Sequence, residues 1–329
     1  MPQTYFPVTH STLAADVLLN AILPTYDIGA PLSCKLLQRL LNDTYLVETR
    51  QGKYILRVYR AGWRTEADIR YELDVLTALD QRGIPVATPV RRRDGDYLCT
   101  VQALEGPRPI VLFTYAEGKP PAFAEFDQIG RYGEMVAQIH NATDHFASSY
   151  ARYGLDFDHL LRVPLAATLP HLPDVADRRY LEQAVTRLVD RISALTILDH
   201  GFCHGDTHNG NVHIDAQGGM RLFDFDCCGL GWRAYDLGTF YWASTWENAP
   251  PETWIAFVEG YTRLRPLAAV DKAAIPLFAC VRELWFMGLR MANGQQWGYG
   301  YPPLAEEIKY LQRLEKVADE AAQGSTINS

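Results

Sequence analysis

The segment Phe202–Tyr241, FCHGDTHNGNVHIDAQGGMRLFDFDCCGLGWRAYDLGTFY, sets five Asp and three His among glycines and short apolar runs. Polar groups this dense, beside residues that should be buried, mark a site. Asn211 follows Asp206 by five residues, and Asp224 follows Asn211 by thirteen, at the end of the run MRLF. Phosphoryl transfer asks little covalent chemistry of a protein. It needs a carboxylate to orient and deprotonate the attacking hydroxyl, and hard oxygen ligands for the Mg²⁺ on the phosphates. Asp206 as base, with Asn211 and Asp224 as metal ligands, fits that division. Asp226 alternates with Asp224 at the same strand end and is a weaker candidate for metal or substrate. The same residues admit a plain turn with capping aspartates, or a zinc- or iron-dependent hydrolase. His204 and His208 have ligand spacing, but Cys203, Cys227 and Cys228 form no C-x-x-C pair and close no four-ligand set.

Elements must position these side chains. Asn211–Ile214 and Met220–Phe223 read as short strands joined through Gln217-Gly218-Gly219, which would set Asn211 beside Asp224. Upstream, a short amphipathic helix over Thr12–Leu23 precedes strands at Leu32–Leu40, Thr44–Thr49 and Lys53–Tyr59. Ile69, Leu73, Leu76 and Leu79 give helical spacing over Arg64–Arg82, stopped by Gly83 and Pro85. Strands Tyr97–Gln102 and Ile110–Thr114 follow, the first preceded by an Asp94–Gly95 turn. Gly118-Lys-Pro-Pro121 breaks the pattern. Beyond it the spacing predicts helices over Asp127–Asn141, Val175–Leu198, Ala234–Trp246, Pro251–Leu264, Asp271–Met291 and Pro303–Ala322.

His204-Gly-Asp-Thr-His-Asn-Gly-Asn211, followed by Phe223-Asp-Phe-Asp226 and Tyr235-Asp-Leu237, resembles the aminoglycoside phosphotransferase-like branch of the protein-kinase fold. That branch includes aminoglycoside, choline, homoserine and methylthioribose kinases. Tyr54-Ile-Leu-Arg-Val-Tyr-Arg60 is similar to its third strand, Glu72 and Gly83-Ile-Pro-Val86 to the following helix and its exit, and Leu112–Pro120 to its hinge. VYRAGWRTEADIRYELDVL and HGDTHNGNVHI are most similar to bacterial stress-response kinases, and homoserine kinase type II is similar as well. The resemblance implies an α+β, two-lobed, protein-kinase-like fold. A small antiparallel-sheet nucleotide-binding lobe would span residues 1–116, with the hinge at its end, and a larger, mainly helical lobe residues 117–329.

The resemblance also implies roles. Asp206 is the catalytic base, and Asn211 and Asp224 hold Mg²⁺. Arg57 and Glu72 pair on the nucleotide side, with adenine against Thr114, Tyr115 and Ala116. Asp236 ties its helix to the catalytic loop, and His204 fixes that loop. Two departures stand out. Arg57 occupies the usual place of a lysine, and its planar fork has a different geometry. Leu40-Leu-Asn-Asp-Thr44 has no glycine to cradle phosphate. The expected activity is transfer of the γ-phosphoryl of ATP, with Mg²⁺, to an acceptor hydroxyl. The acceptor is a small molecule, such as an amino alcohol or aminoglycoside, or protein Ser/Thr. A degenerate nucleotide-binding module without turnover is the alternative that the two departures favour.

Composition sets outer bounds. Hydrophobic residues make up 48% and charged residues 21% of 329, an ordinary globular balance. A formal charge of −8 argues against a nucleic-acid partner. No apolar run is long enough to span a membrane, and the N-terminal run, broken by Asp16 and Asn20, is not read as a signal peptide. Six scattered cysteines read as reduced thiols, and the expected location is cytoplasmic. The sequence leaves the oligomeric state open. In Glu283–Trp297 and just before it, Arg282, Trp285, Arg290 and Asn293 could touch an acceptor, but a buried helix with ion-paired arginines is the favoured reading. His140 is expected to pack or cap between lobes.

Overall fold

Period-2 alternation of apolar residues builds the first part of the chain. The computed structural model describes residues 7–297 and 303–327. The first six residues of the segment judged for a signal peptide, and the side chain of Trp297, lie outside what is described. The chain divides into two compact units, one of residues 1–117 with 147–151, the other of 118–146 with 152–329. The return of 147–151 to the first unit carries no signal in composition. Ser148 donates to Asp74 at 2.7 Å, and Arg70 lies over the Tyr150 ring.

In the first unit, α1 (Ala15–Val17) passes into a π turn over Leu18–Ile22 and a 3-10 turn over Leu23–Thr25. The regular helix expected here is thus irregular, with Pro24 closing the stretch. Strands β1 (Pro31–Arg39), β2 (Asn42–Thr49), β3 (Lys53–Tyr59), β4 (Leu98–Ala103) and β5 (Gly106–Thr114) form one antiparallel sheet in the order β1-β2-β3-β5-β4. Tyr45, Val47, Leu56, Val58, Ile110 and Leu112 share one face and bury against Leu18, Leu23, Tyr26 and Ile28. Alternation puts Arg57 and Tyr59 on the opposite face. There α2 (Glu66–Gln81) meets them through Glu72. Thr65 starts that helix with a capping box: its side chain accepts from Asp68 N, and Asp68 accepts from Thr65 N.

The second unit is mainly helical: α3 (Phe126–Ala142), α4 (Val163–Thr168), α5 (Val175–Ser193), α6 (Arg233–Trp246), α7 (Pro251–Leu264), α8 (Ala269–Trp297) and α9 (Leu304–Ile327). Two small sheets interrupt it. β6 (Gly154–Leu155), β10 (Gly229–Trp232) and β7 (His200–Cys203) lie side by side, with β10 central, and β8 (Val212–Ile214) pairs with β9 (Met220–Leu222). Helix α5 ends at Ser193, five residues short of the expected Leu198, and Ile197 beyond it stands at φ 63°, outside the right-handed region. β6, β7, β10 and α4 carry two to six residues each, too few to show a period. Among the described residues no helix is long and apolar enough to cross a membrane.

Candidate active site

The loop 204–211 leaves β7 and enters β8, and its shape is set from below by Asp236 on α6. Asp236, fully buried, accepts from His204 N at 2.7 Å and from Gly205 N at 2.8 Å. Thr207 Oγ1 donates to the Asp236 carbonyl. Gly205 stands at φ +80°, and a Cβ there would lie 2.2 Å from the Cys227 carbonyl oxygen, so only glycine fits. His140 of α3 links Asp236 (3.0 Å) to the Tyr261 hydroxyl (2.9 Å). Against a carboxylate, Nε2 carries the proton and Nδ1 accepts from Tyr261. Burial lowers the His140 pKa and outweighs the pull of Asp236, so the ring is neutral. The expected packing between lobes is not its role: His140 is an internal strut of the second unit.

His204 fixes the same loop. Its Nδ1 accepts from Asp206 N at 3.2 Å, and its Nε2 donates to the Phe223 carbonyl at 3.1 Å. Burial also lowers its pKa, so one ring bonds the loop and the β9 end at once.

Asp206 thus projects from a rigid loop. Its Oδ1 accepts from Arg282 Nη2 of α8 at 2.5 Å, and its Oδ2 accepts from Asn211 Nδ2 at 3.1 Å. His208 Nε2 lies 3.6 Å from Oδ2, and its Nδ1 accepts from Gly210 N. Burial works to raise the Asp206 pKa, but Arg282 and His208 outweigh it and hold the carboxyl well below the usual range. The side chain keeps 17% of its surface exposed. It is an ionised acceptor, fixed in place and reachable.

Asn211 and Asp224 come together through the β8–β9 pair. Phe223 N donates to the Asn211 carbonyl at 2.9 Å, so Asp224 follows directly on the residue across from Asn211. Asp224 stands at φ 64°, ψ 58°, a left-handed conformation that Asp tolerates better than most residues and that turns the chain sharply out of β9. Asn211 spends its amide nitrogen on the Asp206 carbonyl and carboxylate. An amide oxygen and a carboxylate are the hard donors that Mg²⁺ takes. Among the described residues no three His, Cys, Asp or Glu gather into a metal-holding group. Asp226 is 3% exposed, and its carbonyl accepts from Arg152 and Tyr153.

In the first unit, Arg57 Nη1 donates to Glu72 Oε1 at 2.7 Å, and Tyr59 donates to Glu72 Oε2 at 2.8 Å. The guanidinium lies over the Phe113 ring, and Glu72 is 1% exposed. Lys53 pairs with Glu117 at 3.5 Å and sits over the Tyr115 ring. Thr114 is pinned to Thr88 by two main-chain and side-chain bonds of 2.9 Å, and Ala116 is buried. The turn between β1 and β2 is only Leu40–Leu41, and Asp43 is drawn into a buried pair with Arg108.

A cavity of about 480 Å³ adjoins the loop, lined by His208 and Asn209 of the loop and by Trp242, Trp246, Phe286, Arg282 and Arg290. The Arg282 guanidinium lies against the rings of Trp242 and Trp285. The sequence marked Arg282 as ion-paired or substrate-facing. It gave no sign that the partner is Asp206, 76 residues away.

Residues 34–269 match the model of the "Phosphotransferase enzyme family". An uncharacterised protein of Deinococcus radiodurans is 39% identical over 299 residues, covering 89% of this chain and 86% of its own. A homoserine kinase of Rhodopseudomonas palustris is 29% identical, covering 86% of each chain. The solved structure of a microcompartment-associated aminopropanol kinase superposes with a TM-score of 0.73 at 26% identity, covering 92% of this chain and 96% of that one. With the kinase-like sheet and helices, and a fixed carboxylate ahead of an Asn/Asp pair, the matches have one meaning: this chain belongs to the phosphotransferase enzyme family, kinases that act on alcohol groups.

Proposed function

We propose that the chain transfers the γ-phosphoryl group of Mg·ATP to a hydroxyl of a small molecule, with Asp206 as the base. The observation that carries this reading is the ionised, rigidly held Asp206 beside a cavity of small-molecule size. So acidic a carboxylate orients the hydroxyl and takes its proton as the new O–P bond forms, which suits a loose transition state. Asn211 and Asp224 would hold Mg²⁺, which supplies positive charge to the phosphate oxygens. Arg57, steadied by Glu72, is proposed to bind nucleotide phosphate in the place of the family's lysine, with adenine along Thr114, Tyr115 and Ala116. The relatives named for homoserine and aminopropanol point to small amino alcohols or hydroxy amino acids as acceptors rather than to protein. All six cysteines are free, which supports a cytoplasmic site of action, where ATP is at hand.

The test is ADP release on adding Mg·ATP with a panel of hydroxy acids, amino alcohols, an aminoglycoside and a Ser/Thr-rich protein. Stimulation by a small acceptor is expected. Binding of Mg·ATP without turnover on any acceptor would favour the degenerate module instead.

A further inference from the structure

We propose that His208 binds the acceptor: its Nε2–H donates to the acceptor's hydroxyl oxygen while that hydroxyl donates to Asp206 Oδ2. This rests on the phosphoryl-transfer reading and adds a second group to the same site. His208 Nδ1 accepts from Gly210 N at 3.0 Å, so the ring carries its proton on Nε2. The backbone at 208 is held as well, since its carbonyl accepts from Asn211 N at 3.1 Å and from the Tyr132 hydroxyl at 3.3 Å. A Cβ at Gly210 would lie 2.8 Å from the ring, so glycine there leaves the imidazole its place. Nε2 lies 3.6 Å from Asp206 Oδ2, beyond direct hydrogen-bond range. That gap is short enough for one oxygen to reach both atoms at ordinary hydrogen-bond lengths.

Capping the turn at 209–211 asks only for an acceptor near the backbone, which Asn, Asp or Ser supplies with a shorter side chain. Imidazole adds a donor on the far side of its ring. That donor faces Asp206, and both side chains keep accessible surface, 32% for His208 and 17% for Asp206. His208 also lines the cavity beside the loop. Asp206 Oδ1 is taken by Arg282, whereas Oδ2 accepts only from Asn211 and has a lone pair to spare. A hydroxyl between Nε2 and Oδ2 uses both groups: it donates to Oδ2, and one of its lone pairs accepts from Nε2–H. The other lone pair is left for phosphorus, so the hydroxyl cannot rotate away from attack. As the new O–P bond forms and the bond from the γ-phosphorus to its bridging oxygen breaks, the hydroxyl proton passes to Asp206 and His208 keeps its own.

His208→Asn tests this, because Asn still caps the turn but has no donor at the Nε2 position. With homoserine and 1-amino-2-propanol as acceptors, kcat/KM for the acceptor is expected to fall tenfold or more, while the KM for Mg·ATP and the melting temperature do not change. A purely structural His208 predicts that Asn serves as well as His, so an unchanged kcat/KM overturns the proposal and leaves the kinase reading intact. A rise of the same size in the KM for Mg·ATP, or loss of the cooperative melt, also overturns it, because the whole loop is then disturbed. A second measurement needs no turnover. In ¹H–¹⁵N spectra of the full chain labelled at histidine, taken at pH 8, the signals absent from His208→Asn are expected to show the proton on Nε2. A proton on Nδ1 overturns the proposal whatever the kinetics. If the unaltered chain phosphorylates no acceptor, the kinase reading itself fails and the proposal falls with it.

Discussion

Asp236 and Asp206 sit thirty residues apart on either side of one loop and are treated in opposite ways. Asp236 has no exposed surface, and its carboxylate is fully engaged by two loop amides and a neutral His140. Asp206 keeps a reachable face, and its two oxygens are steadied from behind by Arg282 and Asn211. The first arrangement closes a network, which rigidifies the loop. The second leaves capacity for a ligand. The difference separates a carboxylate that builds the site from one that works in it, although both are buried more than most aspartates.

The comparison can be broken at Asp236 first. Asp236→Ala strands two buried amides and a histidine, so a stability loss of about 3 kcal/mol or more is expected in denaturant unfolding, with activity falling alongside. A loss below about 1 kcal/mol would show that Asp236 is not the hub. Gly205→Ala places a Cβ against the Cys227 carbonyl at a positive φ, and about 2 kcal/mol is expected, read as a lower urea midpoint. A midpoint that does not move would mean that the loop has room to shift.

A smaller effect probes the cavity side. Glu283 and Glu307 have folded pKa values raised above the ordinary carboxylate, to about 8 and about 7, so the folded state binds more protons than the unfolded state in this range. Stability should then fall as pH rises from 6.5 to 8, with a slope of up to about 1.4 kcal/mol per pH unit for each proton involved. The lowered histidines His10, His140 and His204 act in the opposite sense, and that contribution fades within about one pH unit above their ordinary value of 6.5, so the fall is clearest above about pH 7. Glu283→Gln should flatten the slope in unfolding curves taken across the window. An unchanged slope would remove Glu283 from the account.

Much of the chain was legible because alternation and helical spacing are local signals: β3 in the first unit and α7 in the second carry the expected limits, and most other expected elements differ by a few residues at an end. The loop was legible for a different reason, since Asp206, Asn211 and Asp224 lie within one short stretch and their order follows the chemistry. The pairs that make the site act were not. Arg282 with Asp206, and His140 with Asp236, join residues 76 and 96 positions apart, and no periodicity reports such contacts. The short strands β7 and β10, which carry the loop from below, also show no pattern at four residues each.

The central claim is that Asp206 is the base of a phosphoryl transfer and not a structural carboxylate like Asp236. Asp206→Asn keeps an oxygen for Arg282 but removes the charge and the proton acceptor and turns an amide N–H toward the Asn211 amide. The measurement is ADP release with the best acceptor of the panel, beside Mg·ATP calorimetry and thermal melting of the same variant. Turnover is expected to fall by about 10³-fold with nucleotide affinity nearly unchanged, while the melting temperature falls because buried Arg282 loses its counter-charge but a cooperative folded state remains. Turnover equal to that of the unaltered chain would contradict it.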